Sequence, residues 1–273
     1  MIRHEPSIAT VTLGESLPCR ITAAAKVGFK GIELFDTDLE AFGADAKAIR
    51  RMIGDAGMNV ASYFPLREVE GVPAEARQAT RDRAAAYFDR AAELGAPMVM
   101  MCSATDEGLS SDRSLILDDL AHLAEMARAR GLRLAYEALS WGCHMFDYRD
   151  AAKLVSEIRH PNFGLVLDSF HIFARGHPLD EITDIPAEHI FLVQVSDAPT
   201  LNLSYLDWSR SHRTLPGRGS FDLQAFTTNV RATGYDGVFS LECFSDVLRA
   251  ETAQSAAETG YAALNRLWST EGD

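Results

Sequence analysis

At 273 residues, with 47% hydrophobic and 24% charged side chains, the chain has the composition of a globular protein with a sizeable core. Its 39 acidic against 26 basic residues give a formal net charge of −13, which argues against nucleic acid as a partner, because binding a phosphate backbone needs clustered Lys and Arg. No apolar run approaches the ~18 residues of a membrane span, and Met1-Ile2-Arg3-His4-Glu5-Pro6 lacks the layout of a signal peptide, so no membrane association is expected.

Four cysteines, Cys19, Cys102, Cys143 and Cys243, are scattered without a Cys-x-x-Cys pair. Buried thiols in a reducing cytoplasm are therefore expected, rather than disulfides or a zinc site. No Gly/Ser-rich or Pro-rich linker divides the chain, so residues 1–273 read as one domain, and nothing in them speaks against a homo-oligomer.

Apolar, β-branched runs alternate with alanine-rich helical stretches along the whole length. Strands are predicted at Ile8–Leu13, Gly31–Phe35, Met58–Tyr63, Met98–Cys102, Leu132–Ala138, Phe163–Asp168, Ile190–Ser196 and Gly237–Cys243. Helices are predicted at Ser16–Val27, Asp38–Ala56, Ala74–Leu94, Ser111–Arg130 and Arg149–Ile158, then at Asp180–Ile185, Leu223–Thr233 and Arg249–Leu267. Glycine punctuates several joins, as in Val27-Gly28, Ala56-Gly57, Leu94-Gly95 and Arg130-Gly131, where it supplies the left-handed residue that ends a helix. A β-α unit of roughly thirty residues repeated about eight times is the pattern of a (β/α)8 TIM barrel. An open doubly wound sheet would carry phosphate-binding glycines after its first strand, and Leu13-Gly14-Glu15-Ser16 has no Gly-x-Gly-x-x-Gly.

In such a barrel, function sits at the C-terminal ends of the strands. Four successive apolar runs there reach an oxygen-bearing side chain: Glu137, Asp168, Gln194 and Glu242. Three carboxylates side by side in a low-dielectric pocket repel one another unless protonated or neutralised. One such residue alone reads best as a helix cap or a rim ion pair; four in consecutive strands read as ligands of a divalent cation. An all-oxygen set suits Mg²⁺ or Mn²⁺ better than Zn²⁺.

Over its full length the sequence resembles the xylose-isomerase-like TIM barrels, a superfamily of sugar isomerases, epimerases and endonuclease IV. Three stretches are most similar to bacterial 3-dehydroshikimate dehydratases of the barrel type: Tyr136-Glu137-Ala138-Leu139-Ser140-Trp141-Gly142; Leu167-Asp168-Ser169-Phe170-His171; and Trp208-Ser209-Arg210-Ser211-His212-Arg213 leading into Leu215-Pro216-Gly217-Arg218-Gly219. Many epimerases of the superfamily carry His-x-Lys-Asp on the seventh strand, where this chain has Gln194-Val195-Ser196-Asp197, which agrees with the dehydratase pattern. Some dehydratases carry a second domain resembling hydroxyphenylpyruvate dioxygenases; the sequence in hand ends after its last helix, and no role for such a domain is expected.

The resemblance implies a metal-dependent lyase that removes water from 3-dehydroshikimate to give protocatechuate, by β-elimination through a metal-stabilised enolate. It places Glu137, Asp168, Gln194 and Glu242 on the metal, and His171 and His144 as acid/base candidates. It places Ser169 and the loop arginines Arg210 and Arg213 on a small-molecule carboxylate substrate, Asp197–Ser220 being the longest connection in the chain. Glu33, at the end of the second strand, is expected either to touch substrate or to cap the next helix. A metal-dependent isomerase or epimerase of a sugar or hydroxy-keto acid is the competing enzyme. An endonuclease fits the fold but not the charge, and a catalytically silent binding barrel is the remaining alternative.

Overall fold

The computed structural model describes residues 5–43 and 45–269. Eight strands, β1 (Pro6–Ala9), β2 (Gly31–Phe35), β3 (Asn59–Leu66), β4 (Met98–Cys102), β5 (Arg133–Glu137), β6 (Phe163–Asp168), β7 (Ile190–Val195) and β8 (Phe239–Leu241), pair in sequence order. All pairings are parallel, and β1 pairs with β8 to close the barrel. Around it run α1 (Leu17–Val27), α2 (Asp36–Ala41), α3 (Ala46–Asp55), α4 (Arg77–Leu94), α5 (Arg113–Arg128), α6 (Tyr148–Ile158), α7 (Ser169–Arg175), α8 (Tyr205–Ser211), α9 (Leu223–Ala232), α10 (Asp246–Ala250) and α11 (Ala253–Ser269). Among the described residues no helix is long and apolar enough to cross a membrane.

The two-residue period of each strand divides its side chains between two cores. On β4, Met98, Met100 and Cys102 point into the barrel, whereas Val99 and Met101 pack under the helices. Phe191 of β7 closes the interior beneath the site. A Cβ on Gly164 of β6 would lie 2.5 Å from that ring, so glycine is the residue that lets Phe191 cross the barrel.

Several boundaries differ from the sequence reading, each for a local reason. The helix expected over Asp38–Ala56 is two, α2 and α3, separated by a turn whose Gly43 has φ +81°. The last predicted helix is likewise divided into α10 and α11. The first strand stops at Ala9, and Thr10–Thr12 tightens into a 3₁₀ turn. Two short helices, α7 and α8, were not anticipated; a polar cap starts each, Asp168 and Ser204 respectively, as Ser245 starts α10. The expectation of buried thiols holds for Cys102 and Cys243, while Cys143 is half-buried and Cys19 is exposed; all four are free.

The long connection after β7 is folded rather than loose. Asp197, 1% exposed, accepts hydrogen bonds from four backbone N–H groups: Ala198 (2.8 Å) and Phe221 (3.0 Å) at Oδ1, Gly217 (3.0 Å) and Gly219 (2.9 Å) at Oδ2. Within the loop Trp208 packs on Phe170 and Phe221, with ring centroids 5.3 and 6.0 Å away.

Candidate active site

Parallel pairing brings the four strand ends together. Glu137 ends β5 and Asp168 ends β6; Asp168 is the register partner of Gln194 on β7, and Glu242 directly follows β8. All four are at most 3% exposed. Asp168 does two jobs: one oxygen caps α7 by accepting from Phe170 N–H at 2.8 Å, and the other accepts from Arg213 Nη1 at 2.7 Å. That cap starts α7, and one turn later the helix delivers His171 to the same floor. His171 Nε2 lies 3.4 Å from Asp168 Oδ2 and 3.6 Å from Glu137 Oε1.

The electrostatics of this floor are one-sided. Glu33, Glu137, Asp168 and Glu242 are buried together, and Arg213 is the basic side chain among them. Burial, then the neighbouring Asp168 charge, pushes Glu137 up to about 8. Burial also drives Glu242 well above the carboxylate range, against the pull of Arg213. His171 is pushed down to about 3, chiefly by burial, so its ring is neutral near pH 7. Ser140 N–H donates to Nδ1 at 3.1 Å, and the Arg213 guanidinium, which can only donate, brings Nη2 to 3.3 Å from Nε2, so a donor faces each nitrogen of the ring.

Two buried oxygens in the cluster, Glu137 Oε1 and Gln194 Oε1, have no hydrogen-bond partner. The Gln194 amide is turned by its acceptors: Nε2 donates to Glu33 (3.2 and 3.3 Å) and to Glu242 Oε1 (3.3 Å). Glu33 is fully buried and also accepts from Ser62 Oγ at 2.6 Å, so it neither lines the cavity nor caps a helix but fixes the amide. Ligating atoms of Glu137, Asp168 and His171 lie within 4.8 Å of one another. Surplus buried negative charge, unpaired oxygens and an oxygen-rich donor set fit a divalent cation.

The floor opens into a cavity of about 510 Å³, within the usual range for small-molecule sites. Phe35, Phe64, Met100, Leu139 and Phe244 form apolar walls; Glu137, His171 and Glu242 are reached from it, and Arg67 and Arg210 line it. Trp141 stands edge-on to His171 with centroids 5.1 Å apart.

The expected residues do not all arrive. His144 is outside the cavity lining, and its Nε2 bonds the Leu109 carbonyl at 2.9 Å, tying two loops together. Ser169 is 0% exposed and spends its hydroxyl on Ser196, donating to the carbonyl at 2.8 Å and accepting from N–H at 2.9 Å. Arg213 lines the cavity, yet its nitrogens are committed to Asp168, Glu242 (2.9 Å) and Ser209 (2.8 Å). It is a counter-charge for the cluster, not a free fork for a ligand. Among the described residues Arg210 has no carboxylate within ion-pair distance, and it lies over the Phe244 ring at 5.2 Å. Arg67, passed over in the sequence, lines the cavity as well; no motif flags a lone arginine one residue past a strand.

Residues 21–267 match the xylose isomerase-like TIM barrel family. The chain belongs to that family. It is 42% identical over 254 residues to a 3-dehydroshikimate dehydratase of Pseudomonas putida, and 40% identical over 258 residues to one of Pseudomonas aeruginosa; these alignments cover 92% and 94% of this chain but 40% and 41% of those proteins. A solved structure described as a xylose isomerase-like TIM barrel/4-hydroxyphenylpyruvate dioxygenase fusion protein superposes with a TM-score of 0.95 at 40% identity, covering 97% of this chain and 42% of that one. The chain thus spans about two fifths of the length of these relatives.

Proposed function

We propose that this barrel is a 3-dehydroshikimate dehydratase, a hydro-lyase that releases water and protocatechuate. The observation that carries the reading is the cavity itself. Its floor holds buried carboxylates, with Glu137 Oε1 unpaired, and its wall holds Arg210, which makes no ion pair among the described residues. That arrangement suits a small anionic molecule with oxygens at its far end, and the dehydratase relatives agree with it over nearly the whole chain.

Glu137, Asp168, Gln194 and Glu242 would hold the cation, and their oxygens suit Mg²⁺ or Mn²⁺. A bound divalent ion supplies Lewis-acid stabilisation of the negative charge that develops on a ketone oxygen when its α-proton leaves. The chain's own residues handle the protons. His171, which lines the cavity beside the carboxylates, is placed to relay the proton from the α-carbon to the departing hydroxyl. Loss of the neighbouring hydroxyl as water follows, and the ring tautomerises to the catechol. The apolar walls keep bulk water from the carbanionic stage, and Arg210 is placed to meet the substrate carboxylate.

The test is direct. Incubating the protein with 3-dehydroshikimate and Mg²⁺ or Mn²⁺ is expected to give the rising ultraviolet absorbance of protocatechuate, abolished by a chelator and restored by added metal. Absence of product at every metal concentration would overturn the assignment.

A further inference from the structure

Arg67 stands apart from the other arginines around the cavity. The chain at Arg67 and Glu68 is held by two elements. Arg83 of α4 donates to the carbonyl of Arg67 at 2.9 Å and to that of Glu68 at 2.8 Å. Glu68, in the left-handed region at φ 51°, accepts from Thr105 Oγ1 at 2.6 Å and from Thr105 N–H at 3.2 Å. A non-glycine residue takes that conformation at a cost, and here it is held by the contacts it makes. The chain is therefore pinned at Arg67 and directly after it, to α4 and to the loop after β4.

The side chain so presented is not spent. It forms no ion pair with any carboxylate among the described residues, lies with its guanidinium carbon 5.8 Å from the Phe35 ring centre, and lines the cavity together with Arg210. The two arginines feel each other: after burial, the charge of Arg67 is the next influence holding Arg210 below the ordinary arginine range. Asp36 feels the charge of Arg67, and Glu242 that of Arg210, but neither arginine makes an ion pair among the described residues, so two like charges in one cavity, one on a held backbone, form a preorganised receptor for an anion.

We propose that Arg67 is the second arm of the carboxylate site, acting with Arg210 to select ligands bearing a carboxylate at the end remote from the Glu137–Asp168–Glu242 floor. The inference rests on the dehydratase reading for the identity of the substrate, but the anion preference stands on Arg67 and Arg210 alone. An arginine has no proton to give at working pH, so its contribution is to binding and orientation, not to chemistry.

The experiment compares wild type, Arg67→Gln and Arg67→Lys in the presence of Mg²⁺. Equilibrium binding of 3,4-dihydroxybenzoate and of catechol, the same ring without its carboxylate, is measured by quenching of tryptophan fluorescence, and kcat and KM are measured with 3-dehydroshikimate. Arg67→Gln is expected to weaken 3,4-dihydroxybenzoate by about 10- to 100-fold, the scale of a charge-assisted hydrogen bond, and to leave catechol unchanged. Arg67→Lys keeps the charge without the fork and should recover part of the loss. KM should rise more than kcat falls. Equal losses for both ligands, no loss for either, or a wild type that does not prefer the carboxylate would overturn the role of Arg67. A wild type that makes no protocatechuate, yet shows an Arg67-dependent carboxylate preference, would remove the dehydratase reading and leave the anion site standing.

Discussion

Asp197 is where fold and site meet, and replacing it is the sharpest test of how the cavity wall is built. Its carboxylate gathers the N–H groups of Ala198, Gly217, Gly219 and Phe221, and so folds the segment that carries Arg210 and Arg213 back over the barrel mouth. In Asp197→Ala all four lose their acceptor. Gly217 and Gly219 are exposed, so water takes over there at little cost. Ala198 is buried and Phe221 half-buried, so their N–H groups stay unpaired, at about 1–3 kcal/mol each. The loss of stability should therefore be about 2–6 kcal/mol, read in urea as a lower midpoint with an unchanged m-value. Gly219→Ala attacks the same clamp from the other side, since its added Cβ would fall 2.2 Å from Asp197 Oδ1. Turnover of Asp197→Ala, measured where it is still folded, should fall as well, because Arg210 and Arg213 lose their support. A stability change below about 0.5 kcal/mol would be no more than an ordinary surface substitution causes and would refute the clamp.

Two further perturbations probe buried carboxylates. Glu70, which accepts from Ala104 N–H and Tyr136 O–H, is pushed by burial up to about 7 from an ordinary 4.5. The folded state therefore holds a proton that the unfolded chain releases, so stability should fall by about 3 kcal/mol as pH rises from 4.5 to 7 and then level off. Glu70→Gln should match wild type near pH 4.5 and exceed it at pH 8 in chemical denaturation; parallel curves would contradict the buried proton. Glu33→Ala removes the main acceptor of the Gln194 amide, and calorimetry should show divalent-cation binding weakened about 10- to 100-fold with the fold retained. Unchanged affinity would mean that Gln194 needs no such partner.

The barrel was legible because strand ends and helix stops are local. An apolar run that reaches a carboxylate, as at Glu137, Asp168 and Glu242, announces itself in one dimension, and parallel pairing alone then gathers those ends. What the sequence could not assign were roles fixed by partners far along the chain. Ser169 and Asp168 sit side by side in one motif, yet the hydroxyl goes to the Ser196 backbone while the carboxylate goes to the site. Arg210 and Arg213 are three residues apart, and only the fold shows that one is consumed by Asp168 and Glu242 while the other is free to meet a ligand. His144 follows a strand end as His171 does, but it lacks a helix such as α7 to turn it inward. Arg67 carries no signal at all until β3 and β2 place it beside Phe35.

The central claim is that Glu137, Asp168, Gln194 and Glu242 hold one divalent cation on which dehydration depends. It is tested most directly by measuring bound Mn²⁺ per chain and protocatechuate production together, in wild type and in Glu242→Gln. Wild type should take up one ion per chain and form product only when loaded. Glu242→Gln, folded by circular dichroism, should lose most of its ion affinity and its turnover together. A Glu242→Gln protein that makes protocatechuate at the wild-type rate, or a wild type whose rate is the same with and without the ion, would contradict the account.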